Sequence, residues 1–235
     1  MAGMNRGRFV EMKCSPNITQ RRYPTKVFWL SVVVILVSGC AATAPVRVLP
    51  KGTTDVVASL GGPIVVNTSP IGVIPYATVG LMHGISNDVT VHGSAHLTMA
   101  AFGVAGVDVG ASARAWSQDG AIPEATLAAR FMAMTDFGDW TTTRVWPTTS
   151  ATFSWGNDDC MLYTGGHTTL ELVDGSVIAS PFLGVQFAAS STLWFQVEGI
   201  WQAANRNTRN GVFEGQSSIG GMGSFGCFVA GRIRL

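Results

Sequence analysis

Charge is scarce in this chain. Asp, Glu, Lys and Arg make up 12% of its 235 residues, about half of the roughly 25% usual in a soluble domain. The formal net charge of +1 gives no electrostatic case for nucleic acid as a partner. After residue 40 there is no apolar run long enough to form a membrane-crossing helix. Cysteine is nearly missing from the body, where only Cys160 and Cys227 follow Cys40. In an oxidising compartment these two could be bridged, or they could stay separate thiols. What is plentiful is glycine, 28 residues, and hydrophobic side chains, 47%. Little charge, much glycine and no helix-length run suit a β-structure with little watery surface.

The first forty residues differ from the rest. Residues 27–39 are apolar or small throughout and follow Arg21, Arg22 and Lys26. A basic stretch, a short apolar run and a small-residue exit form the pattern of a secretory signal. As a helix the run would reach about 20 Å at 1.5 Å per residue, short of a hydrocarbon core of about 30 Å. A buried core helix is the other reading, but the run has no polar face. Val37-Ser38-Gly39-Cys40 resembles the lipobox of bacterial lipoproteins. That resemblance implies cleavage between Gly39 and Cys40, acylation of Cys40 with palmitate-type chains, and an anchored N-terminus. Ala41 stands at the next position, where Asp would favour inner-membrane retention in that family, so outer-membrane sorting is expected. The chain then divides into a signal peptide over 1–39, a lipidated N-terminus and tether over 40–54, and one body over 55–235. Pro45, Pro50 and Gly52 give the tether an extended composition.

From residue 55 onward the hydrophobic period becomes two. Over 89–101, Val89, Val91, Ala95, Leu97 and Met99 alternate with Thr90, His92, Ser94, His96 and Thr98, a strand with one apolar and one polar face. The pattern returns over 107–115, 124–133, 192–202 and 218–235, and in all five segments every charge lies on the polar face. A lipid-facing charge costs about 2–4 kcal/mol at the bilayer midplane, so this segregation is expected of a membrane barrel. Further strands are expected near 56–61, 75–83, 144–155, 161–172 and 177–187. Pro147 and Pro181 interrupt two of them and mark an edge, a bulge or a loop. The count is about ten strands, with eight as the alternative. The fold expected is an all-β, antiparallel, up-and-down barrel, and the body resembles small outer-membrane β-barrels in architecture. If the tether lies in the periplasm, most of the longer connections fall outside. Six Trp (116, 140, 146, 155, 194 and 201) fall toward strand ends, which suits an interfacial girdle or core packing equally.

The polar faces collect the candidate site residues: His92, His96, Asp108, Arg114, Glu124, Arg130 and Glu198, with His167, Glu171, Arg232 and Arg234 beside them. In a narrow barrel they form an ion-pair and hydrogen-bond network that fills the lumen. A sharper reading makes His92 or His96 the base for Ser94. Residues two apart on one strand stand about 6.5–7 Å apart, so the partner would have to come from a neighbouring strand. The two His are too far apart along the strand to share a metal, and no cofactor motif is present. Asn157-Asp158-Asp159 reads as a turn. The reading that results is an outer-membrane, lipid-anchored barrel with a structural or passive binding role, membrane lipids as partners and no enzymatic activity. Two alternatives stand beside it. One is a soluble, lipid-tethered barrel binding an apolar ligand, and the other is a lipid-modifying enzyme. The direction of Val91, Leu97, Leu127, Phe131, Phe195 and Val197 separates the first two.

Overall fold

The structure, a computed structural model, describes residues 45–65, 72–73, 75–207 and 221–235. The stretch read as a signal peptide and lipobox, with Gly39 and Cys40, lies outside the described residues. The strands in chain order are β1 (Thr54–Val65), β2 (Gly72–Val73), β3 (Tyr76–Gly84), β4 (Val89–His96), β5 (Val104–Trp116), β6 (Glu124–Asp136), β7 (Asp139–Gly156), β8 (Cys160–Glu171), β9 (Ser176–Ala188), β10 (Leu193–Asn207) and β11 (Met222–Arg234), with one short helix α1 (Leu97–Ala101) after β4. β1 pairs antiparallel with β3, each strand from β3 onward pairs antiparallel with the next, and β11 closes on β1 from Asp55 opposite Arg234 to Pro63 opposite Gly226. The result is a closed ten-strand barrel, to which the two-residue β2 adds a small hairpin at the end of β1. Closure leaves no open sheet edge along the ladder, which is how an all-β fold avoids edge-to-edge association.

The alternation of the sequence maps onto the two sides of this wall, and it is inverted relative to a soluble protein. Leu127, Phe131 and Val109 are 51%, 58% and 59% exposed on the outer surface, and Val91, Leu97 and Val197 are exposed with them. Phe195 is half-buried on the same face. The buried side chains are largely polar: Asp55, Thr90, Ser112, Thr126, Ser154, Asp108 and Glu198 all face the lumen. A soluble barrel with an apolar cavity requires the opposite, so the structure removes the ground for the apolar-ligand alternative.

Two features differ from the sequence expectation, and a third decides between two states it left open. The strand expected over 89–101 ends at His96, and Leu97–Ala101 turns into helix. Leu, Met and Ala favour helix, the Thr98 hydroxyl accepts a hydrogen bond from the Ala77 amide at 2.6 Å, and Gly103 ends the turn at φ +82°. Cys160 and Cys227 are not bridged, and both remain thiols. They stand on β8 and β11, with β9 and β10 between them in the wall. The stretch expected as a trailing tether is folded from residue 45 onward and lies in one mouth of the barrel.

The two prolines each mark where a ladder stops. Pairing of β7 with β8 begins at Thr148, one residue after Pro147, so the first part of the 18-residue β7 pairs with β6 alone. Pairing of β9 with β10 runs from Ala188 to Phe182 and ends beside Pro181. A residue without an amide N–H is tolerated at such positions and not inside a ladder.

Candidate functional site

The polar interior, together with the segment that closes it, is the candidate site. The end of the barrel where the chain enters β1 is called the near end here. Residues 45–53 lie across its mouth and touch strands all round the wall. Val46 is buried in a cluster with Met161, Tyr163, Phe182, Ile200 and Phe228 from β8 to β11. Leu49 is buried with Val57, Met82 and Ala230 from β1, β3 and β11, and its amide donates to the Thr90 hydroxyl at 2.7 Å. Between them Arg47 reaches toward β6 and β7. Its Nε donates to Ser154 Oγ at 2.8 Å, its Nη2 donates to Gln118 Oε1 at 2.7 Å, and Glu124 lies 3.7 Å from Nε. Gln118 also accepts the Gly156 amide at 3.1 Å. The long 117–123 connection at the near end therefore serves to hold Arg47. Gly84 is required beside this segment, because a Cβ there would stand 2.2 Å from the Pro50 carbonyl oxygen. The segment is a plug with apolar ends and a cationic centre, and nothing in its composition distinguishes it from a tether.

Above the plug the lumen holds a network of polar groups. The Tyr163 hydroxyl donates to Glu198 Oε2 at 3.0 Å and accepts from Gln196 Nε2 at 2.8 Å. Tyr163 faces Gly184 across the β8–β9 ladder; a Cβ at 184 would stand 2.2 Å from the phenol oxygen, so glycine makes room for the ring. Arg130 interacts electrostatically with both Glu198 and Asp108 and joins the two halves of the network. Nearer the far end, Ser94 Oγ donates to Asp108 Oδ2 at 2.5 Å and His96 Nε2 lies 3.1 Å from the same oxygen. The other imidazole nitrogen of His96 meets the Tyr76 hydroxyl. Two voids bordering these groups measure about 10 Å³ each, room for about one water apiece.

The sequence candidates therefore separate into groups. His96, Asp108, Arg130 and Glu198 lie in one network, with His92 bordering the same void as Asp108 and Arg130. Glu124 belongs to the plug contacts. Arg114 sits at the near-end rim, where its Nε and Nη2 donate to Asp88 Oδ1 at 3.0 and 2.8 Å. Arg232 and Arg234 flank Asp55, each with Nε 3.2 Å from a carboxylate oxygen, and both lie over the Trp194 ring at 4.6 and 4.8 Å. The Arg232 contact is an ion pair by distance and not a hydrogen bond, since Arg232 Nε and Asp55 Oδ2 make none. Sequence reasoning missed Val46, Arg47, Leu49 and Gln118, and also Tyr76 and Tyr163, which occupy unremarkable positions in the alternating pattern.

The chemistry open to this arrangement is limited. Ser94 donates to a carboxylate and not to an imidazole, so the arrangement that would activate it as a nucleophile is not formed. The hydroxyl that His96 does meet is the Tyr76 phenol, and the opposite nitrogen is tied to Asp108. Among the described residues no group of three or more His, Cys, Asp or Glu is placed to hold a metal ion.

No protein-family model matches the chain, and no curated protein matches it. Among solved structures, it is similar to the N-terminal β-barrel domain of Pseudomonas aeruginosa OprF, at 8% identity and TM-score 0.34 over 80% of this chain and 100% of that one. It is also similar to the KdgM porin, at 8% identity and TM-score 0.43 over 76% and 98%. A third is Ail, the attachment invasion locus protein of Yersinia pestis, at 8% identity and TM-score 0.26 over 79% and 99%.

Proposed function

We propose that this chain is a bacterial outer-membrane barrel, anchored in addition by an acylated Cys40, whose plugged lumen gives it a structural or passive binding role and not that of an open pore. The observation that carries the reading is the orientation of the wall. A belt that includes Leu81, Val109, Leu127, Phe131, Leu183 and Ile233 is exposed around the outside, while Asp55, Asp108, Glu124 and Glu198 are buried within. Monomeric soluble proteins rarely expose a contiguous apolar patch larger than a few hundred Å². In a bilayer the same belt is satisfied, and a closed barrel pairs its backbone groups between neighbouring strands. All the wall strands but the eight-residue β4 reach the roughly 9–11 residues that a tilted crossing needs; β5, β6 and β9 have 13 each.

With the plugged near end in the periplasm, the 18-residue β7 carries its hairpin beyond the outer surface, where residues 139–145 are all exposed. That hairpin is the natural contact surface for a passive binding role. The bench test is heat-modifiable migration of detergent-extracted protein. An intact barrel runs at a different apparent mass unboiled than boiled. A chain that comes out of the membrane without detergent, or shows one mobility in both conditions, overturns the reading.

A further inference from the structure

The plug has a fixed part and a loosely held part. The turn from Pro50 to Thr53 is fixed. The Thr53 amide donates to the Pro50 carbonyl at 3.2 Å, and Gly52 stands at φ +79°, the positive φ that type II turns place at their third residue. The Gly52 amide donates to the Gly84 carbonyl at 2.7 Å, and the Lys51 amide to Asn87 Oδ1 at 3.1 Å. Residues 45–49, the arm of the plug, are held differently. Among the described residues no hydrogen bond joins a main-chain group of the arm to a main-chain group of the wall. The Leu49 amide meets a side chain, Arg47 bonds through its guanidinium, and Val46 and Leu49 pack as apolar knobs. No ladder has to break for the arm to swing out about the Pro50–Thr53 turn.

What the arm covers is a path into the lumen. One void of about 10 Å³ is walled by Pro45 and Val46 themselves, together with Val57 and Met82. The second void adjoins it across Val57 and Met82, which line both, and its other walls include Thr78, His92, Asp108 and Arg130. Leu49 packs on the same Val57 and Met82. Withdrawal of the arm opens the first void to the mouth and frees the two side chains that separate it from the second. The largest lumen rings do not stand in the way. Phe228 lies against Gly61, Tyr163 against Gly184 and Phe182 against Gly165, each over the glycine directly opposite on a neighbouring strand. A Cβ on these glycines would stand between 2.1 and 2.6 Å from the facing side chain. The rings lie along the wall instead of across the lumen.

We propose that residues 45–49 are a gate, and that the barrel passes small cations when they swing out. The charges left in the lumen select the sign. When seated, Arg47 stands 3.7 Å from Glu124, and its departure removes that positive charge. Asp108, Glu124 and Glu198 are then left with Arg130, which interacts with Asp108 and Glu198, while Asp55 keeps its place between Arg232 and Arg234 at the near rim. Three carboxylates along the path against one guanidinium favour a cation. The proposal rests on the membrane reading and goes beyond it. The seated arm is the closed state already described, and the swing gives the same barrel an open one.

The experiment measures current through the processed protein in planar bilayers of phosphatidylethanolamine and phosphatidylglycerol bathed in potassium chloride. The parent should be closed for most of the record. Arg47→Ala, and a full chain lacking only residues 45–49, should each raise the mean conductance by about tenfold or more, as expected when the closed state loses a charged hydrogen bond. Under a salt gradient the reversal potential should report potassium over chloride, and Glu124→Gln added to Arg47→Ala should weaken that preference. Thr78 lines the second void. Thr78→Cys, added to Arg47→Ala with Cys160 and Cys227 replaced by Ser, should let a water-soluble methanethiosulfonate block the current from within the lumen. Heat-modifiable migration shows that each variant is folded; should the deletion fail that check, Arg47→Ala alone decides. Folded variants as silent as the parent, a parent that conducts as freely as the variants, or a current untouched by reagent at residue 78 overturns the gate and leaves the membrane reading standing. A preference for chloride overturns the assignment to cations. A parent that shows no heat-modifiable migration and does not enter the bilayer overturns the membrane reading, and the gate with it.

Discussion

His96 Nε2 stands 3.1 Å from Asp108 Oδ2, both side chains are almost fully buried, and the remaining nitrogen of the ring meets the Tyr76 hydroxyl. The register explains the meeting. Asp108 on β5 lies directly across from Ser94 on β4, two residues from His96 on the same face. Breaking a buried pair from one side leaves a polar group stranded, at a cost of about 3–5 kcal/mol. Asp108→Ala should therefore lower the free energy of unfolding, measured by urea titration in vesicles, by an amount in that range. His96→Ala combined with Asp108→Ala should cost clearly less than the sum of the single changes. Additive costs would show that the two do not act as a pair.

Arg47 holds the plug. Hydrogen bonds to a charged group contribute about 1.5–3 kcal/mol each, and Arg47 makes two short ones, to Ser154 Oγ and Gln118 Oε1. Arg47→Ala should loosen residues 45–53 without opening the wall. A cysteine placed at the buried lumen position Thr126, with Cys160 and Cys227 replaced by Ser, reports the change. It should react slowly with a water-soluble maleimide in the parent and markedly faster after Arg47→Ala. Equal rates would mean that the segment does not seal the mouth.

Phe131 lies on the outer belt and Thr126 in the lumen, and the same charge should be tolerated differently at the two faces. Phe131→Arg should cost roughly 2–4 kcal/mol in reversible folding into vesicles, as for a lipid-facing cation near the midplane. In detergent-free buffer the same substitution would improve solubility if the belt faced water, so the sign of its effect is informative.

Cys40→Ala tests the second attachment. Metabolic labelling with palmitate should be lost and the chain should remain unprocessed at residue 39. The membrane fraction should still hold it through the barrel wall. Labelling that persists in Cys40→Ala would remove the lipoprotein reading.

The architecture was legible in the sequence because a two-sided wall writes itself as alternation. Thr126, Leu127, Ala128, Ala129, Arg130 and Phe131 suffice to place a charge inside and an aromatic ring outside. Pro147 and Pro181 announced the two places where ladders stop. The short helix at Leu97–Ala101 was not legible, since Leu97 and Met99 continue the alternation of β4, and helix preference with the Thr98 contact decides the matter only in three dimensions. The plug was hidden for a related reason. Val46, Arg47 and Leu49 are too few to show a period, and their partners lie between 8 and about 180 residues away, from Val57 to Ala230. The lumen residues could be named from their face, but not grouped. Which of His92 and His96 meets Asp108, and that Arg114 belongs to the rim, depends on register and barrel stagger, which no single strand reveals.

The central claim is that the apolar face of the wall meets lipid. Spin labels at Leu127, Phe131 and Val197, and separately at Ser112, Thr126 and Glu198, test it in vesicles by their collision rates with oxygen and with a water-soluble nickel chelate. The account predicts high oxygen and low nickel accessibility at the first three, and low accessibility to both at the three lumen positions. Nickel accessibility at Leu127, Phe131 and Val197 equal to that of an exposed site near the tip of the β6–β7 hairpin, such as Thr141, would contradict it.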